Sequence, residues 1–350
     1  MKRFFGTIAM AVVMTVGTVD ALATGVARSN SIGAKEVLKS EVAVAPKVAK
    51  FNVATYNLRQ LNDSDRKKGD GWERRCPVVA SVIRFHDFHI FGTQEGFKSQ
   101  LEDLKAQLPG YEYTGVARDD GKEAGEHSAI FYDTNMFELL DHGDFWLSET
   151  PDRPGLGWDA ACVRICSWGK FRHKESGKEF QFYNLHLDHV GKKARVESVL
   201  LVQKKMKEIG MNLPTFLTGD FNVDQTHDMY EVLAGSDFLL DSFKTAEFVY
   251  APNGTWNDYK TDGFTESRID HIFVSDGVKV EKYGVLTDTY RTSRDEDRQL
   301  GYEKSSTGNN SGSDSQNYKS ANFPEELKIS PYKSRVPSDH FPVQIKVVIP

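Results

Sequence analysis

The sequence predicts an α/β chain in which short apolar strands alternate with amphipathic helices, and three observations predict it. Apolar runs such as 51–57 and 88–94 each end in polar, chemistry-bearing residues. Segments with apolar residues at helical spacing separate or follow them, and 192–209 is the longest. A middle stretch, 128–186, reads as successive strands joined by turn residues.

At 350 residues the chain supports a real core, as one large domain or two modest ones. Its N-terminus reads as a secretory signal over 1–23. Lys2 and Arg3 precede an apolar stretch over 4–19, and Ala21-Leu22-Ala23 offers a small-x-small cleavage site. That stretch is too short, and too interrupted by Gly and Thr, to span a membrane. Cleavage there exports the protein to the periplasm or the extracellular space. It removes Lys2, Arg3 and Asp20, taking the formal charge from −6 to −7. An acidic average disfavours bulk duplex as the target, because nonspecific nucleic-acid binding rests on basic contacts to phosphate.

Residues 24–47 show no steady period and read as a linker, which leaves 48–350 as the folded domain. Strand 51–57 opens it. Helix 77–85 follows, with Pro77 tolerable in a first turn. Strand 88–94 comes next, and helix 99–108 stops at Pro109-Gly110. Strands 128–132, 137–145, 162–171 and 179–186 form the β-rich middle, the last two joined by a hairpin around Ser176-Gly177. Helix 192–209 leads through Gly210 and Pro214 into strand 215–218, which delivers Asp220. Strands 269–274 and 278–286 precede a polar segment, 290–335, rich in Ser, Gly and Asn. A loop of that length is either a substrate-shaping lid or an insertion without direct role. A last apolar strand starts at Pro342. Of Cys76, Cys162 and Cys166, the latter two share one strand and read as core residues; they stand roughly 13 Å apart, too far for a disulfide.

The chemistry gathers at strand ends: Asn57, Glu95 in Thr93-Gln94-Glu95-Gly96, and His186 with Asp188. Further on come Gly219-Asp220-Phe221-Asn222, Arg268-Ile269-Asp270-His271 and Ser338-Asp339-His340-Phe341-Pro342. Acids, amides and imidazoles delivered from six strand ends are what metal-assisted attack on a phosphate ester requires. Glu95 closes an apolar strand, where a carboxylate is rare unless paired or metal-bound, so it is the first candidate ligand for a hard cation. Asn57 and Asp339 can supply further oxygens. Asp220 can orient or deprotonate a water, and Asn222 can hold that water or a phosphate oxygen. His340 can act as a base or steady developing charge, with Asp270 as its orienting carboxylate. His186 reads as a donor to a phosphate oxygen and Asp188 as its buttress. His189, His227 and His271 read as bystanders.

Taken together, Asn57, Glu95, His186, Asp220 with Asn222, Asp270, and Asp339 with His340 resemble the endonuclease/exonuclease/phosphatase superfamily, the deoxyribonuclease-I-like fold, over about 48–350. Trp72 with Arg74 or Arg75, the run from Trp146 to Pro151, and Arg195 resemble a secreted bacterial branch of it. The resemblance implies a four-layer α/β/β/α sandwich of two mostly antiparallel sheets flanked by helices. It implies Mg²⁺ or Mn²⁺ held by Glu95 with Asn57 and Asp339. It also implies water activation by His340–Asp270 and Asp220/Asn222, with His186 stabilising the pentacovalent transition state. The expectation is an exported, monomeric phosphoesterase. A small-molecule, lipid-head-group or glycan-linked phosphate is favoured slightly over nucleic acid; a secreted nuclease and a catalytically silent binding module are the alternatives.

Overall fold

Strand alternation begins at once: Ala49–Asn57 (β1) buries every other side chain before its last residues sink completely. The structure, a computed structural model, describes residues 47–210, 212–302 and 332–350. The expected signal and all but the end of the expected linker lie outside the described residues. After β1 come α1 (Asp63–Lys67), α2 (Trp72–Phe85), β2 (Ile90–Gln94), α3 (Lys98–Ala106), β3 (Tyr111–Thr114) and β4 (Ile130–Asp133). The middle holds β5 (Phe137–Trp146), β6 (Ile165–His173), β7 (Glu179–His186), α4 (Lys192–Ile209), β8 (Thr215–Asp220) and α5 (Asp228–Ala234). Then follow β9 (Leu239–Asp241), α6 (Ser242–Thr245), β10 (Phe248–Tyr250), β11 (Asp270–Ser275) and β12 (Lys279–Val285). The chain ends with β13 (Tyr290–Ser293), α7 (Arg294–Gln299), β14 (Tyr332–Arg335) and β15 (Val343–Ile349).

One sheet runs β10-β12-β15-β1-β2-β4-β3 and the other β5-β6-β7-β8-β11-β9, with antiparallel pairings in the majority. Of the three parallel pairs among the described residues, β1–β2, β7–β8 and β10–β12, the first two are joined through crossover helices. Phe51, Val53 and Ile90 of the first sheet pack against Phe180, Phe182 and Phe216 of the second, so the sheets share an apolar core. On the outer face of the first, Tyr56, Phe91 and Phe131 meet Val79 and Ile83 of α2 and Leu101 and Leu104 of α3. On the outer face of the second, Leu185, Leu217 and Phe273 meet Val199, Val202 and Met206 of α4 and Leu233 of α5. This is the expected four-layer sandwich.

Near one end of the sandwich the shared core turns polar. Asn184 of β7 donates to the carbonyls of Thr93 (2.8 Å) and Ala129 (3.0 Å) and accepts from Gln94 Nε2 (2.7 Å) and Thr218 Oγ1 (3.0 Å). All its donors and acceptors are therefore met across the two sheets, which rigidifies the floor of what lies above. Gly92 admits this approach, because a Cβ there would collide with Asn184 and Thr218.

Three expectations change. Helix α2 starts at Trp72, so Pro77 stands inside it rather than in its first turn. The strand expected over 162–171 is β6, starting at Ile165, so Cys162 precedes it and is half-buried rather than a core residue, while Cys166 is buried as expected; all three cysteines are free. The polar segment 290–335 is not a featureless loop at its ends. Strands β13 and β14 pair as an antiparallel ribbon, and α7 follows β13. Asp297 of α7 is fully buried, accepting from Arg74 (2.6 Å), Arg335 (2.8 Å) and Thr292 (2.9 Å). Residues 303–331 lie outside the described residues.

Candidate active site

Sheet register assembles the site. His186, Asp220 and Asp270 are direct partners across β7, β8 and β11, while Asn57 pairs with Gln94 across β1 and β2. One end of both sheets therefore carries the chemistry. Asp339 and His340 arrive just before β15, where His340 bridges to Trp256. Glu95 and Asn222 follow β2 and β8 in the left-handed region, at φ 65° and 51°, and Arg59 after β1 adopts φ 56°. Backbone held in that region by non-glycine residues costs free energy and concentrates at functional sites.

Asn57 Nδ2 donates to Glu95 Oε1 and to Asp220 Oδ2, each at 3.0 Å, and its Oδ1 accepts from the Arg59 amide (2.9 Å). Among the described residues, Glu95, Asp220 and His340 bring one ligand atom each within 4.8 Å of one another. Asp339 stands beside this group, 3.5 Å from Arg59. Ser338 Oγ, donating to the Asn57 carbonyl (2.7 Å), ties its strand end to β1. His340 Nδ1 meets Asp270 Oδ2 at 2.9 Å, and its Nε2 lies 3.8 Å from Asp220 Oδ2. Asn222 turns its amide to His186 Nε2 (3.0 Å), and its backbone N–H donates to Asp220 Oδ1 (2.9 Å).

Electrostatics follow from this crowding. Burial, then the nearby Asp270 charge, pushes the Asp220 carboxyl up. Burial raises Asp339 as well, with Glu95 adding to it. For His340, burial favours the neutral ring, but the charges of Asp270, Asp220 and Asp339 outweigh it and hold the imidazole well above its ordinary value. Burial, followed by the positive charges of Arg164 and Arg118, keeps His186 well below its own. Carboxylates this crowded and this buried fit a hard divalent cation, which takes oxygen ligands and offsets their mutual repulsion.

The structure also revises individual readings. Asp188 does not buttress His186. Its carboxylate accepts from the backbone N–H groups of Ala161 and Cys162 (both 3.1 Å), Val190 (3.0 Å) and Gly191 (2.7 Å), clamping two loops. Those four bonds offset burial and lower its carboxyl to about 2. His189 lines the cleft and meets Arg164 Nη2 at 3.1 Å. His271 is buried against the Val223 carbonyl. Arg59, Arg118, Glu126, Arg164 and Trp256 also line the cleft of about 600 Å³ over this cluster, and sequence reasoning gave them no role. Arg118 and Glu126 stand in a Gly- and charge-rich stretch that looks like solvated surface, and only Arg164, a charge inside an apolar run, carried any signal. No described helix is long and apolar enough to cross a membrane.

Comparison with known proteins gives a consistent result. Residues 54–340 match the family described as Endonuclease/Exonuclease/phosphatase family. A solved member of that family from Bacteroides thetaiotaomicron is 52% identical, aligned over 87% of this chain and 99% of its own, with a TM-score of 0.76. A mannosyl-6-phosphatase of B. thetaiotaomicron VPI-5482 is 52% identical over 85% of this chain and 99% of its own, with a TM-score of 0.74. A Bacteroides vulgatus endonuclease/exonuclease/phosphatase is 34% identical over 85% and 98%, with a TM-score of 0.69.

Proposed function

The chain belongs to the endonuclease/exonuclease/phosphatase family, and from that membership we propose an exported, monomeric, divalent-cation-dependent phosphoesterase that hydrolyses a phosphate ester with an activated water. The observation that carries this reading is the convergence of Glu95, Asp220, Asn222, His186 and the His340–Asp270 pair on one cleft. Glu95, Asn57 and Asp339 would hold Mg²⁺ or Mn²⁺, with Asp220 beside them. The bound cation would polarise the phosphate oxygens and acidify a water. Asp220 accepts a hydrogen bond from that water and Asn222 fixes its position. His340, oriented by Asp270, holds or moves a proton at Nε2. His186 stands where it steadies charge developing on a phosphate oxygen.

For the substrate, the 52% identical mannosyl-6-phosphatase supports a phosphate on a sugar or glycan. Trp256 supports it too. It is 47% exposed, and it lines both the catalytic cleft and an adjoining one of about 450 Å³ that also holds Asp70, Asp258, Lys68 and Lys333. An exposed ring among carboxylates and ammonium groups suits a polyhydroxylated leaving group. The signal over 1–23 supports export, and N-terminal sequencing of the protein recovered outside the cytoplasm tests it.

The central test is release of p-nitrophenol from the mono- and bis-p-nitrophenyl phosphates and of phosphate from hexose 6-phosphates, with Mg²⁺ or Mn²⁺ and with chelator. Turnover that needs metal and disappears in His340→Ala supports the reading. Metal-loaded protein that hydrolyses none of these esters sinks it.

A further inference from the structure

Arginine nitrogens buried without partners mark one wall of the cleft. Arg164, immediately before β6, is 4% exposed. Its Nη2 meets His189, yet its Nε and Nη1 have no hydrogen-bond partner among the described residues. The nearest carboxylate, Asp188, lies 3.6 Å from Nε and is already taken by four backbone N–H groups. Arg118 donates through Nη1 to Glu126 Oε2 (2.6 Å), and its buried Nε has no hydrogen-bond partner among the described residues, the carboxylate of Asp119 lying 3.8 Å away. Both arginines line the catalytic cleft, and both line a small void of about 10 Å³ beside it, shared with Glu126 and His186.

A buried guanidinium with unmet N–H groups is costly, and native structures keep such groups where a ligand completes them. We propose that Arg118 and Arg164 form an anion wall that selects phosphates carrying two negative charges, so that this enzyme is a phosphomonoesterase. The inference rests on the phosphoesterase reading above and specifies its substrate class. A phosphomonoester at neutral pH carries close to two charges. One faces the cation site at Asn57, Glu95 and Asp339; the second meets the guanidinium groups of Arg118 and Arg164, where planar N–H pairs match phosphate oxygens. A diester has no second charge, and its extra substituent would place an uncharged group against the same donors and leave them unmet.

The test uses the full chain loaded with Mg²⁺, as wild type, Arg164→Gln, Arg164→Lys and Arg118→Gln. Mono- and bis-p-nitrophenyl phosphate turnover is measured beside calorimetric binding of inorganic phosphate. Each glutamine variant should lose roughly 10- to 100-fold in kcat/KM for the monoester, the span for losing a charged hydrogen bond. Monoester turnover should fall at least about 10-fold further than diester turnover, phosphate affinity should fall with it, and Arg164→Lys should recover part of the loss. Parallel losses on both esters, a wild type that prefers the diester, or unchanged phosphate affinity would overturn the proposal. Should Arg164→Gln misfold by circular dichroism, Arg118→Gln and Arg164→Lys decide. A wild type inactive on both esters overturns the phosphoesterase reading instead, and phosphate binding by the variants then still judges the arginine wall.

Discussion

Replacing Arg75 by lysine probes how the two halves of the site are held together. Arg75 is 1% exposed and donates only to backbone: Nε to the Asp70 carbonyl (2.8 Å), Nη1 to Leu58 (2.7 Å) and Pro337 (3.0 Å), Nη2 to Arg59 (3.0 Å). The loop leaving β1, which carries Arg59, is thus pinned to the segment that delivers Asp339 and His340. Lysine keeps the charge but offers three N–H donors from one nitrogen against four carbonyls spread around a planar fork. At least one buried carbonyl is stranded, at about 1–3 kcal/mol, and the remaining bonds are poorer; a total near 3 kcal/mol follows. For a domain of this size that lowers Tm by roughly 5 °C. Because displacement of about 1 Å at a reacting centre can cost on the order of 100-fold, turnover should fall as well, even far below Tm. Circular dichroism melts and p-nitrophenyl phosphate turnover at low temperature measure both. A Tm within about 2 °C of wild type, with turnover unchanged, would refute the idea that this guanidinium sets the register.

Glu95→Gln removes a charge from the proposed cation site, so calorimetric Mn²⁺ affinity should fall by at least ~100-fold, and unchanged affinity would move the site elsewhere. Asp270→Asn leaves His340 a neutral partner and should lower kcat by about 10²–10⁴-fold with little change in KM; a loss confined to KM would contradict the pairing. Acid stability offers a check on the insertion stem. Burial opposes ionisation of Asp297, but its bonds to Arg335, Arg74 and Thr292 win and depress its carboxyl to about 2. The ionised form therefore contributes stability that is present above the ordinary carboxylate value and is lost as pH falls through about 2. Asp297→Asn should melt well below wild type at pH 5, and the gap should narrow toward pH 2; a constant gap would rule out the linkage.

Strand ends bearing acids, amides and imidazoles were legible because strand periodicity and apolar runs are local properties, and so is the placement of Asp220 beside Asn222 or Asp339 beside His340. The sequence by itself determined the α/β class, most element positions and the side-chain cluster of Asn57, Glu95, His186, Asp220, Asn222, Asp270 and His340. Tertiary structure alone decided the rest. That Asp188 clamps loops, that Arg75 gathers four carbonyls, and that Arg118 and Arg164 face the cleft depend on partners far away in the chain, such as Pro337, 262 residues from Arg75. A long charged side chain carries no local mark of whether water or a buried carbonyl will receive it, because that choice is made by which strands come to lie beside it.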